Sequence, residues 1–363
     1  MQKPIGSEFD LPIGHIFWEK NPQIGRYTPK NKSKKLLSSG RDSIDFLIKY
    51  FGLSEQSRVL MPSYLCKEML KPFHEAGIEP VFYRVKKNLE IDIDHIKKKI
   101  KDADAIIIIH YFGFPQKIEE LKRTCRKSRT ILIEDCAQAF LSMKGNTVLG
   151  SEGDASFNSL IKILPLPDGS ILTINNESSR RPVAIVGSFR HFLYTKLRYA
   201  FLLLKNIYMR MPGIMPEYFF RRSFSTTEKL MDSYPRPARM SRKSMSLLKK
   251  LDLDIIKQRR RDNFSFLLKN LKLKSLKPLF KELPEGVCPL GFPVLTKDRD
   301  SVKRLLIDNL IYPPVHWHLP EEISKSEFPV SWRISGKILT IPIDQRYSKE
   351  DMESIVKVLN QNA

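Results

Sequence analysis

Ala105-Ile-Ile-Ile-Ile-His110 and Thr130-Ile-Leu-Ile-Glu134 decide the fold. Both are short apolar runs without inside/outside alternation, and a basic helical stretch, Lys117 to Lys127, lies between them. Strands apolar at every position are buried on both faces, and such strands joined through helices run parallel in one sheet. The same alternation extends upstream: helix-like Asp42 to Phe51, the run Arg58 to Met61, helix-like Lys67 to Ala76, the run Glu79 to Tyr83, and a helix over Ile93 to Ile100. It breaks after Asn176. A long helical pattern then runs from Ser241 to about Asn270, followed by Val287 to Leu295, a helix over Ser301 to Asn309, the strand-like Ile311-Tyr312 and Ile338-Leu-Thr-Ile341. A last helix covers Ser348 to Leu359, with Ser348 and Asp351 spaced as a capping pair. The expectation is an α/β protein with a mostly parallel, doubly wound sheet and a small α+β C-terminal domain. Its parts are an arm over residues 1–37, a large domain over 38–240 with a basic aromatic insertion near 180–240, and a connector helix with the small domain over 241–363.

The composition suits a folded globular chain: 363 residues, 42% hydrophobic and 28% charged. Cys66, Cys125, Cys136 and Cys288 show neither disulfide nor zinc-ligand spacing, so no metal is expected and the thiols are read as reduced. Without an apolar run of membrane-spanning length, and with no signal-like core in MQKPIGSEFDLPIG, the expected location is the cytoplasm. The charge is unusual. Sixty-two basic against 40 acidic residues leave +22, and residues 180–243 hold fourteen Lys/Arg against three acidic residues, half of that excess. Such a segment favours an anionic surface, either a substrate's diphosphate or the inner membrane face. Yet Arg190, Lys196, Arg198, Lys205 and Arg210 spread around a helix without a clean amphipathic face. Nucleic acid is not expected, because no recognition-helix, RNA-binding or OB signature accompanies the charge.

Ligands of doubly wound sheets bind at the carboxyl ends of the strands. Asp135 follows the run Thr130 to Glu134, and Lys162 lies among apolar neighbours in Phe-Asn-Ser-Leu-Ile-Lys162, where desolvation would favour a nucleophilic amine. Ser38-Ser39-Gly40-Arg41-Asp42 is a glycine-bearing turn opening a helix, able to cradle a phosphate. An anion cradle, a carboxylate and a lysine on one sheet edge suit the phosphate, ring nitrogen and aldehyde of pyridoxal 5'-phosphate.

With these residues in place, the chain resembles the DegT/StrS-type (DegT/DnrJ-like) aminotransferases of fold type I, nearly end to end. Glu134-Asp-Cys-Ala-Gln138 with a downstream lysine is the most specific match. Ser39-Gly40-Arg41, Val59-Leu-Met-Pro-Ser63, Ala76-Gly-Ile-Glu-Pro-Val81, Gly153-Asp154 and Asp168-Gly169 follow the family's order, as do Ile311-Tyr-Pro-Pro-Val-His316 and Leu339-Thr-Ile-Pro-Ile343. The resemblance implies that Lys162 holds the cofactor's aldehyde and moves the proton, while Asp135 pairs with the ring nitrogen. It places Gln138 near the phenolic oxygen, one helical turn beyond Asp135. Gly40, Arg41, Asp42 and Ser159 would lie at the phosphate, with Tyr64 or Cys66 at the ring. His110, Arg239 and His316 are candidates for the substrate or the neighbouring subunit. A lysine at 162, where the dehydratase branch has histidine, implies transamination. The implied reaction moves an amino group from glutamate to a nucleotide-linked keto sugar, in a homodimer making amino sugars or surface polysaccharide. The alternatives are a transaminase of a non-sugar ketone or aldehyde, and a silent scaffold binding membranes or a partner.

Overall fold

The computed structural model describes residues 4–6, 8–11, 23–176, 181–210, 227, 229–272 and 276–361. Much of the basic stretch after 210, Arg222 included, lies outside the described residues.

In chain order the elements of the larger sheet and its cover are β1 (Ser33–Leu37), α1 (Gly40–Phe51), β2 (Val59–Pro62), β3 (Val81–Tyr83) and α2 (Ile93–Lys99). They continue with β4 (Ala105–Ile109), α3 (Glu119–Ser128), β5 (Ile131–Cys136), β6 (Ala155–Asn158) and β7 (Ser170–Ile174). These strands form one seven-stranded sheet in the order β1-β7-β6-β5-β4-β2-β3. All neighbours pair in parallel except β7, which is antiparallel to both β6 and β1. Every residue of β2, β4, β6 and β7 is buried, as a sheet covered on both faces requires. Ser33–Leu37 was expected in the N-terminal arm; its pairing with β7 makes it an edge strand instead.

Local chemistry fixes the ends of α1. The Ser39 side chain accepts from the Asp42 N–H at its start, and Gly52, at φ 69°, closes it in the left-handed region. The stretch Lys67 to Ala76 is a single turn, Lys67–Met69, and a short helix, Lys71–Glu75.

Downstream come α4 (Phe189–Arg210), α5 (Arg242–Leu248), α6 (Leu253–Asn270), β8 (Leu276–Pro278), β9 (Phe292–Thr296), α7 (Arg299–Asp308), α8 (Pro329–Lys337), β10 (Ile338–Ile341) and α9 (Lys349–Gln361). The expected single connector helix is thus two. The break falls where Asp252 caps α6, its carboxylate accepting from the Ile255 N–H (2.9 Å). Strands β8, β9 and β10 form an antiparallel sheet, and α9 packs on α6. At the start of α9 the Ser348 N–H donates to Asp351 Oδ2 (2.8 Å), the expected capping pair. One continuous core joins both sheets, from Leu37 and Ile107 to Phe264, Leu339 and Leu359.

Candidate active site

The carboxyl ends of β4, β5 and β6 carry the candidate residues. Successive side chains of a strand face opposite ways, and β5 uses this at Glu134 and Asp135. Glu134 accepts from the N–H groups of Gly150 (3.2 Å), Glu152 (2.7 Å) and Gly153 (2.6 Å) and from His110 Nε2 (2.9 Å). Burial pushes its carboxyl up, but those bonds and the histidine outweigh it and hold Glu134 below the usual range. His110 Nδ1 accepts from the Gln116 N–H (3.0 Å), so its neutral ring carries the proton on Nε2. Both ring nitrogens are engaged and the side chain is buried, which leaves His110 no polar edge for a substrate and corrects that expectation.

Asp135 is also buried, and its one hydrogen bond among the described residues comes from the Ala137 N–H (2.7 Å). Burial raises its carboxyl, while the nearby charge of Lys162 and the Ala137 N–H oppose the rise. It is a buried carboxyl that a cationic partner would stabilise as the anion.

Lys162 ends the short turn Leu160–Lys162 that follows β6. It is exposed, which corrects the expectation that its apolar neighbours would desolvate it: Leu160, Ile163 and Leu164 are buried, while the lysine is left accessible. The turn is held from below. Buried Arg260 of α6 reaches the Ile163 carbonyl with Nη2 (3.4 Å) and those of Pro289 and Leu290 with Nη1 (3.2 and 3.0 Å). Gln345 donates to the same Ile163 carbonyl (2.9 Å) and accepts from Arg260 Nε (2.9 Å). Sequence reading missed both residues; the only signal was the Arg259-Arg260-Arg261 run inside an apolar helical pattern.

The far end of this loop is fixed by Gly169, at φ 145°. Its N–H donates to the Ser38 carbonyl (2.6 Å) and its carbonyl accepts from the Leu160 N–H (2.9 Å), tying the start of α1 to the lysine turn. A Cβ there would come within 2.9 Å of Met240 Cε. Asp168 beside it accepts from the Ser241 N–H (2.9 Å) and from the Ser241 (2.6 Å) and Ser244 hydroxyls.

Gln138 lies in a turn after β5, not on a helix. Its Oε1 accepts from the Phe112 N–H (2.8 Å), and its Nε2 is buried without a hydrogen-bond partner. His316 donates to or accepts from Thr340 Oγ1 (2.9 Å), and burial, then the charge of Lys162, push it down to about 3. Tyr64 is a packing residue: its ring lies 5.8 Å from that of Tyr111 and 5.6 Å from that of Trp317, and its hydroxyl donates to the His316 carbonyl. Cys66 is half-buried at the start of the next turn. Arg239 is exposed on the strap 234–240.

That strap crosses the start of α1. Asp42 accepts from the Ala238 N–H (2.8 Å) and the Tyr234 hydroxyl (3.2 Å), so its carboxylate secures the strap and is not available to a phosphate. Arg41 pairs with Asp232 (2.5 Å) and Glu68 (3.1 Å). The first N–H groups of a helix, here those of Gly40 and Arg41, are the ones its own turns leave unused. The Ser159 hydroxyl makes no capping bond at its turn.

Residues 29–191 match the model of the DegT/DnrJ/EryC1/StrS aminotransferase family. Over these residues the chain is similar to that family. Over 339 residues it is 23% identical to the dTDP-3-amino-3,6-dideoxy-alpha-D-galactopyranose transaminase of Aneurinibacillus thermoaerophilus, covering 90% of this chain and 84% of that protein. A GDP-perosamine synthase of Vibrio cholerae is 24% identical over 152 residues, 41% of each chain. Among solved structures, Helicobacter pylori PseC, an aminotransferase involved in the biosynthesis of pseudoaminic acid, shares the fold with a TM-score of 0.68 at 16% identity, over 99% of this chain and all of that one.

The cofactor of this aminotransferase is pyridoxal 5'-phosphate. The ring end of the site fits it on the chain's own chemistry. Asp135 is a buried carboxylate short of a counter-charge, Gln138 Nε2 is a buried donor without an acceptor, and Lys162 acts electrostatically on both Asp135 and His316. At the phosphate end Gly40, Arg41 and Ser159 offer donors, while Asp42 does not.

Proposed function

We propose that this aminotransferase moves an amino group from glutamate onto a keto sugar carried on a nucleotide, acting as a homodimer. The observation that carries the reading is the meeting of Lys162, Asp135 and the unpartnered Gln138 Nε2 on one sheet edge. The sugar follows from the two relatives, whose names specify dTDP and GDP carriers. Since these share a diphosphate and differ in base, the recognised element is the diphosphate-linked sugar, and a chain of +22 draws such a dianion.

When bound, the cofactor supplies an electron-accepting ring and a carbonyl for the amino group in transit. Asp135 would keep a proton on the ring nitrogen, which a buried anion does better than a solvated one. Lys162 Nζ would hold the cofactor's aldehyde and would move the proton at the substrate carbon. Gln138 Nε2 would donate to the phenolic oxygen. The Gly40 and Arg41 N–H groups and the Ser159 hydroxyl would hold the phosphate. His316, neutral at working pH, shapes the cleft without adding charge beside Lys162. Exposed Arg239 on its strap is the residue offered to the neighbouring subunit.

One observation favours the silent scaffold: Asp42 at the phosphate turn is a carboxylate already spent on the strap. A single experiment separates the readings. The purified protein is loaded with pyridoxal phosphate, reduced with borohydride and its peptides mapped, then assayed with glutamate against dTDP- and GDP-linked keto sugars. A label on Lys162 with amino-sugar formation is the expected result. No label and no absorbance change would establish the scaffold, and a label without turnover on any nucleotide sugar would move the substrate to another carbonyl class.

A further inference from the structure

The inward face of helix α4 is mixed: His191, Thr195, Arg198, Lys205 and Asn206 are buried beside Tyr194, Phe201 and Leu202. Arg198 pairs with Glu8 (2.5 Å), Lys205 donates to the Glu8 carbonyl and Asn206 to Asp10 (2.8 Å). Its face toward solvent is apolar. Phe189 is 76% exposed and Phe192 54%, and Leu193, Leu197 and Ile207 continue the stripe at helical spacing. Among the described residues, five of the eight large exposed hydrophobic side chains lie on this one helix. From Phe189 to Ile207 the stripe runs about 27 Å. A helix on the surface of a soluble protein ordinarily shows the reverse pattern.

The spread of basic residues that blurred the sequence reading now resolves. Arg198 and Lys205 point inward, burial pushing the Lys205 ammonium down to about 7, while Arg190 and Lys196 are exposed with the stripe, Lys196 lying over the Phe192 ring at 5.3 Å. Lys243 of α5 joins the same edge, 4.2 Å from the Tyr199 ring centroid. No acidic residue occurs between Arg181 and Arg210.

We propose that α4 seats this face of the protein on an anionic lipid surface, its phenylalanine and leucine side chains entering the headgroup boundary and its cations meeting the lipid phosphates. An exposed apolar stripe accompanied by cations suits a helix lying in the plane of an anionic bilayer interface. The buried face, polar bonds to Glu8 and Asp10 together with Phe201 and Leu202, binds α4 to the body, and no described helix is long and apolar enough to cross a membrane. A second copy is the weaker occupant of this face, because it would set the exposed Arg190 and Lys196 of one copy against those of the other. The assignment holds whichever substrate the active site takes.

The test is co-sedimentation of the full chain with phosphatidylcholine vesicles, with and without phosphatidylglycerol, at low and high salt. Wild type should bind only the vesicles containing phosphatidylglycerol, and less at high salt. Phe189→Ser with Phe192→Ser and Leu197→Ser should weaken binding at least about tenfold. Arg190→Gln and Lys196→Gln should each cost about fivefold. All of these positions are exposed, so solution transaminase activity should not change. Wild type that ignores phosphatidylglycerol, or a triple variant that binds like wild type, would overturn the proposal. So would light scattering in which the triple variant dissociates a dimer while vesicle binding is unchanged, since the stripe would then belong to a second copy.

Discussion

Glu134 and Asp135 are adjacent carboxylates with unrelated work, because β5 turns one toward the loop 150–153 and the other toward Lys162. That a carboxylate and a lysine would share this edge was legible from the apolar runs and the residues just after them. What Glu134 and His110 do was not, since a strand-end position gives no sign of which side chain finds backbone donors sixteen or more residues on. Nor was the exposure of Lys162: apolar neighbours in sequence mark a buried turn, and the lysine is the residue that turn presents outward. At this scale the prediction concerns Asp135→Asn. Amino transfer should fall at least about a hundredfold, checked by steady-state assay. Because burial raises the native carboxyl above its unfolded value, the folded state holds this proton more tightly, and stability drops as pH rises from the ordinary to the raised value. The cofactor-free Asn variant should therefore melt above wild type at neutral pH and match it below the ordinary carboxylate value. Calorimetry across pH checks this, and the gain disappears if cofactor supplies the missing counter-charge.

Among the elements, the strands and helices of the parallel sheet were readable because burial on both faces makes their strands apolar throughout. The connector was misread as continuous, because the apolar period runs through residues 249–252 and only Asp252, as a cap, marks the break. The reversed direction of β7 was also hidden, as a fully buried strand carries no sign of its polarity. That reversal brings Gly169, at the start of β7, to the same sheet edge as the ends of β5 and β6. Arg260 makes α6 a positioning element for the lysine turn. Arg260→Met should lower stability by about 1–3 kcal/mol by denaturant titration, leaving buried carbonyls short of a donor. Its kcat should fall more than its KM rises, because Ile163 and the adjacent Lys162 lose their support while the substrate's own contacts remain. Equal stability loss with unaltered kcat would reduce Arg260 to packing alone.

For the molecule as a whole, one core spans both sheets, so calorimetry should show a single main unfolding transition and not separate melting of residues 241–363. The N-terminal residues are part of that unity. Ile5–Gly6 pairs in parallel with Ile311–Tyr312, the Gly6 N–H donates to the Tyr347 hydroxyl (2.6 Å), and Asp10 meets Arg346 (3.4 Å) while Glu8 meets Arg198. This stitching has a consequence for the order of synthesis. Ile5 leaves the ribosome long before Tyr347, and α4 emerges before the strand that steadies Glu8 and Asp10 is made. Until the last residues arrive, the inward face of α4 has only part of its final setting, so a nascent chain halted near residue 300 should be cut by protease around Phe189 while the released full-length chain resists.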